Sequence, residues 1–76
     1  MVIEVNLKES ANLTLEMFSV DGSLVRHIAR TDAQPGNLTF RWDGKNDQGE
    51  KVSTGIYYLL VKAGNESTYK SVNFSK

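Results

Sequence analysis

The sequence predicts an all-β fold, a small antiparallel sandwich of six to seven strands, on three observations. Apolar residues alternate with polar ones at period two along most of the chain. Turn-forming residues punctuate these runs at short, regular intervals. No segment sustains a helical period. At 76 residues the chain is one domain, 1–76, built around one core.

Ile3, Val5 and Leu7 alternate with Glu4, Asn6 and Lys8 and form the first strand. Leu13, Leu15 and Met17 alternate with Thr14 and Glu16, and Phe18 and Val20 extend the apolar side. Asp21-Gly22 predicts a type I′ hairpin turn, because Asp and Gly tolerate positive φ. Segment 24–30 holds Leu24, Val25, His27 and Ile28 without clean alternation. A bulged strand and a helical turn both fit it, and the hairpin return favours the strand. Gln34-Pro35-Gly36 is a turn. Leu38, Phe40 and Trp42 then alternate with Thr39, Arg41 and Asp43. The stretch from Asp43 to Thr54 is the longest loop and holds Gly44 and Gly49. Tyr57, Leu59 and Val61 share one face of the next segment, and Ile56, Tyr58 and Leu60 share the other. Apolar character on both faces predicts a central strand. After the turn Ala63-Gly64-Asn65-Glu66, Thr68, Lys70, Val72 and Phe74 interleave with Tyr69, Ser71 and Asn73 in a final strand.

Composition narrows function mainly by exclusion. Nine basic and nine acidic side chains cancel to zero net charge. That opposes a nucleic-acid binder, which needs a basic face, and a polybasic membrane anchor. The longest apolar run, Ile56 to Val61, is far short of a membrane span. Glu4 and Lys8 interrupt the N-terminus, so no signal peptide is read there. The chain is read as a domain excised from the C-terminus of a larger protein. With no cysteine there is no disulfide and no thiolate zinc site. The single histidine, His27, excludes any chemistry that needs two. A non-catalytic module is expected, without metal or cofactor.

The run from Gly36 to Tyr58 contains Trp42-Asp43-Gly44, then Gly49, then Gly55-Ile56-Tyr57-Tyr58. This pattern resembles the Ig-like domain first described in the flagellar hook-capping protein. The stretch from Leu15 to Val25 is similar to that family's first hairpin. The resemblance covers about residues 2–75. It implies an Ig-like sandwich in which Trp42, Asp43, Gly44, Gly49, Gly55 and Tyr57 form the structural motif. Domains of this kind occur in hook caps. Closely similar ones end secreted bacterial proteins and act as type IX secretion sorting signals. The last strand, Tyr69 to Lys76, looks like the end of a sorting domain.

Other constellations have plainer readings. Asp43, Asn46, Asp47 and Glu50 place oxygen ligands in one loop. Calcium takes six to eight oxygens, but Lys45 interrupts the set and the spacing is not that of an EF-hand. Turn capping through backbone N–H groups accounts for these residue types. Trp42, Tyr57, Tyr58 and Tyr69 are the residues a sugar platform would use. The face Trp42 shares with Leu38 and Phe40 favours core packing instead. His27 has no nucleophile near it in sequence, and no Gly-x-Ser-x-Gly elbow occurs.

The sequence is therefore read as a C-terminal accessory module of a secreted or surface bacterial protein, acting in export or attachment. Tyr69, Lys70, Val72, Phe74 and Lys76 would contact its protein partner, either export machinery or assembly subunits. A self-associating segment of a hook cap and a small carbohydrate-binding module are the alternatives.

Overall fold

The computed structural model describes residues 1–75. It contains six strands: β1 (Val2–Leu7), β2 (Ala11–Ser19), β3 (Leu24–Ala33), β4 (Gly36–Arg41), β5 (Gly55–Ala63) and β6 (Glu66–Phe74). No helix occurs among the described residues. A four-stranded sheet has the order β3-β2-β5-β6, and β1 and β4 form a two-stranded sheet. Every pairing is antiparallel.

The core lies between the sheets, and period two puts it there. Leu13, Leu15 and Met17 of β2 and Tyr57 and Leu59 of β5 point inward from the large sheet. Ile3 and Leu7 meet them from β1. Trp42, one residue past β4, closes one end at 2% exposure. Fully burying one such aliphatic side chain contributes roughly 1.5–3 kcal/mol.

Segment 24–30 is a strand whose pairing with β2 shifts twice, between Leu15 and Glu16 and between Met17 and Phe18. Val25 and Ile28 are the extra residues, and both pack against the core. A bulge lets neighbouring residues face the same side, which is why clean alternation is missing here.

The β2–β3 turn is not type I′, which requires positive φ at both central residues. Among the described residues only glycines have positive φ, so Asp21 does not. Gly22 N–H donates to Ser19 O (3.0 Å) and Ser19 N–H to Ser23 O (2.9 Å). This is a three-residue hairpin loop with Gly22 (φ +88°) in the left-handed position. Asp21 shapes it with its carboxylate, accepting from Ser19 Oγ and Ser23 N–H.

β5 is central by its neighbours, β2 and β6, but its two apolar faces differ. Tyr57 and Leu59 are buried, whereas Ile56 is 53% exposed and Tyr58 is also exposed. The apolar second face reflects an uncovered outer surface of the large sheet.

Candidate functional site

Two regions concentrate the chemistry-bearing residues: the loop after Trp42, and the open side of the sandwich along β1 and β6.

The loop is built by short-range caps. Asp43 Oδ1 accepts from Lys45 N–H (3.0 Å). Asn46 Oδ1 accepts from Gln48 N–H (3.0 Å) and Glu50 N–H (2.9 Å). Asn46 N–H donates to Glu50 O, Val52 N–H donates to Gly44 O, and Lys45 bridges Lys51. The result is a small hairpin of its own, with its oxygens turned to backbone donors rather than converging on a cation. No cluster of three or more metal-ligating side chains is found among the described residues.

This hairpin is fastened to the rest of the molecule at two places. At its base Trp42 Nε1–H donates to Lys45 O (3.0 Å), and the indole packs on Tyr57 (5.6 Å between centroids) and Phe74 (4.9 Å). Gly44 sits against the end of the Phe74 ring with φ +76°. A Cβ there would collide with Phe74 Cζ, so the position needs glycine for space and for backbone conformation.

Along its side the hairpin covers the edge of β3. Asp47 N–H donates to Val25 O (3.0 Å), and Asp47 Oδ1 accepts from His27 N–H (3.0 Å). These contacts imitate one rung of a strand ladder. Arg26 Nη1 donates to Lys45 O (3.3 Å) and Asn46 O (3.2 Å) and approaches Asp43 Oδ1 (3.5 Å). His27 Nδ1 lies 2.7 Å from Asp47 Oδ2, and its Nε2 lies 3.3 Å from Glu16 Oε2. The His27 N–H bond, and then the His27 ring, hold the Asp47 carboxyl below the ordinary carboxylate range. The arrangement contains an imidazole between two carboxylates but no nucleophile aligned with it. It fastens a loop to a strand.

The residues proposed for partner recognition divide between two environments. Phe74 belongs to the Trp42 cluster, and Val72 is half-buried beside it. Tyr69 (64% exposed) lies on the outer face of the large sheet, edge-on to Phe18 at 6.3 Å. Lys70 faces the inner side opposite Leu59 and is exposed. Lys76 lies outside the described residues. Among the motif residues, Trp42, Asp43, Gly44 and Tyr57 gather at the closed end, where Tyr57 Oη donates to Ser53 O (2.6 Å). Gly49 (φ +86°) caps the tip of the small hairpin, and Gly55 (φ +157°) starts β5 with open space around it. The four aromatics of the sugar platform do not come together, because Trp42 and Tyr57 are internal while Tyr58 and Tyr69 lie on the opposite surface.

The open side arises from unequal sheets. Two strands cannot cover four, and on the inner face Val61 of β5 is only half-buried while Thr68 and Lys70 of β6 are exposed. A groove of about 690 Å³ runs there, continuous with a smaller hollow of about 260 Å³ that shares Val5, Asn6, Val61 and Thr68. Sequence reading missed Arg26 as the loop's clamp, and this groove. The only local hint was an arginine in a strand beside an acidic loop of opposite charge.

Comparison with known proteins places these features. A family model described as the FlgD Ig-like domain matches residues 1–67. Two curated relatives, each named basal-body rod modification protein FlgD, come from Salmonella typhimurium and Salmonella typhi. Each is 34% identical over 65 residues, which make up 84% of this chain and 28% of the relative. The chain thus spans less than a third of the length of these relatives. No solved structure matches it.

Proposed function

The chain belongs to the FlgD Ig-like domain family, and on that premise we propose that it is a non-catalytic structural segment of a flagellar-cap type of assembly, acting by binding protein. The family match over residues 1–67 carries this reading. The structure supports it in two ways. The polar residues of the 43–50 loop are engaged in caps and clamps, which suits a scaffold. Tyr58, Ile56 and Tyr69 stand on an outer sheet face as exposed large apolar side chains, which suits a protein contact.

Export sorting yields to assembly as the leading role. The matched relatives carry names of flagellar construction, and most of β6 lies beyond the matched residues 1–67. Tyr69 and Lys70 are accordingly proposed as contacts to assembly subunits, on the flagellar, outward side of a bacterial cell.

Transplanting residues 1–76, so that all of β6 is kept, in place of the matching region of the Salmonella typhimurium relative tests the role. The chimera is expected to restore motility above that of a strain lacking the region. In parallel, residues 1–76 fused to a reporter behind a signal peptide, in a host with type IX secretion, should stay in the periplasm. Delivery of the reporter to the surface, abolished by deleting the last eight residues, would overturn the assembly reading in favour of sorting.

A further inference from the structure

The His27 ring has a carboxylate at each nitrogen. Nδ1 lies 2.7 Å from Asp47 Oδ2, on the 43–50 hairpin, and Nε2 lies 3.3 Å from Glu16 Oε2, on β2. Both neighbours are held in place by backbone contacts. Glu16 stands opposite His27 in the register of β2 on β3. Asp47 bonds Val25 O through its N–H and His27 N–H through its carboxylate.

An ionised carboxylate accepts hydrogen bonds and cannot donate them, so each ring nitrogen needs a proton to bond its partner. Neutral imidazole carries one. In either tautomer the other nitrogen turns a lone pair toward a carboxylate oxygen. The imidazolium alone satisfies both contacts at once. Other charges do not take its place. Arg26 Nε approaches Asp47 Oδ1 at 3.9 Å, while its Nη1 is occupied with Lys45 O, Asn46 O and Asp43. Beyond Glu16 the outer face continues into Leu60 of β5 and Tyr69 of β6, which carry no charge at neutral pH. Arg30 and Lys62 flank Thr14 two residues along β2, and neither pairs with Glu16 or Asp47 among the described residues. The Met1 ammonium bonds Trp42 O at the base of the hairpin.

We propose that His27 is a proton-operated clasp: protonated, it ties the 43–50 hairpin to β2 and β3, and on losing its proton it lets the hairpin lift from the edge of β3. Lifting frees Val25 C=O and His27 N–H, the two backbone groups that the hairpin occupies. An edge sealed in mild acid is thus bared more often as pH rises, and a bare edge can pair with another strand. An imidazole ordinarily titrates at about pH 6.5. Below that value the clasp is closed, and Asp47 stays ionised because the His27 N–H and ring hold its carboxyl below the ordinary range. Above it the contribution is lost. The bonds from Arg26 and the packing of Trp42 remain, so the hairpin loosens without unfolding the sandwich.

Amide hydrogen exchange on the whole chain, corrected for the pH dependence of exchange in an unfolded chain, reads this opening. At any pH the Asp47 and His27 amides should be less protected than those of Leu13 and Leu15 in β2, the mark of local opening. Exposed ion pairs are individually weak, so protection of Asp47 and His27 should fall about three- to fivefold between about pH 5.5 and about pH 8. His27→Gln keeps a polar side chain that does not titrate, and it leaves the Met1 amine unchanged. The 27 side chain is 62% exposed, so the fold should persist, and protection at Asp47 should stay level across the same range. Glu16→Gln removes one carboxylate and should shrink the fall without abolishing it. Level protection in the unmodified chain, the same fall in His27→Gln, or an undiminished fall in Glu16→Gln would each overturn the proposal. So would hairpin amides protected as strongly as Leu13 and Leu15, since the hairpin would then open only when the whole domain unfolds.

Discussion

The outer edges of β3 and β1 offer the same chemistry, a row of backbone N–H and C=O groups, yet they meet different surroundings. Along β3 the 43–50 hairpin lies against the edge, with Asp47 bonding Val25 and His27 and Arg26 gripping two carbonyls of the loop. Along β1 no strand among the described residues pairs with the backbone of Val2, Glu4 and Asn6, and the floor beyond them is part apolar. An unprotected edge invites association with other chains. This domain spends its acidic loop on sealing one edge, and none of its described residues does the same for the other. The carboxylates of that loop are thus better understood as edge protection than as ligands or catalysts.

The contrast can be broken most severely at the sealed end. Trp42→Ala removes the ring that joins the loop, Tyr57 and Phe74, and should cost roughly 3–5 kcal/mol in chemical denaturation. A loss that small domains can scarcely absorb is expected there. A melting temperature close to that of the unmodified protein would show that the closed end does not hold the fold. Gly44→Ala should cost roughly 2–4 kcal/mol, from left-handed strain together with the clash against Phe74.

Asp47→Asn should lower the melting temperature at neutral pH by less than either. Its effect should also depend on acid. The carboxyls of Asp47 and Asp21 are held below the ordinary aspartate value of 3.8, that of Asp21 at about 2. Each therefore favours the folded state above pH 4 or so, and loses that contribution as pH falls through its folded-state value. Thermal melts should show the gap between Asp47→Asn and the unmodified protein closing as the pH is lowered below 3.8. A gap constant with pH would mean that the charge of Asp47 plays no part in sealing β3. The smallest effect is expected from calcium. Melts in excess calcium and in excess chelator should coincide, because a ligand selective for the folded state would raise the transition. A rise abolished by Asp43→Asn would turn the loop from a seal into a metal site.

Much of this was legible along the chain. Alternation over Ile3 to Leu7, Leu13 to Met17 and Leu38 to Trp42 reports which side chains face a core, and that is a local property. Segment 24–30 resisted because its two bulges bring Val25 and Ile28 to the same side as their neighbours. The doubly apolar 56–61 run signalled centrality, yet alternation says only that a face is apolar, not whether another layer covers it. Arg26 reaches carbonyls 19 and 20 positions away, a relation no spacing rule encodes. The open groove depends on how many strands each sheet recruits, which is settled by long-range pairing rather than by the residues of β1.

The pairing of β1 with β4 also has a kinetic side. The hairpins β2–β3 and β5–β6 close over three-residue and two-residue connections, Val20 to Gly22 and Gly64-Asn65. The bonds between Met1 and Trp42 span 41 positions. Loop-closure entropy grows with the logarithm of the span, so the two hairpins have the head start over both long-range pairings. The shortest closure of β1 on β4, Leu7 to Gly36, spans 29 positions, and that of β2 on β5, Ser19 to Tyr57, spans 38. Leu13, Leu15 and Met17 of the first hairpin are thus buried by the slower class of contact, from β1 on one side of it in the chain and β5 on the other.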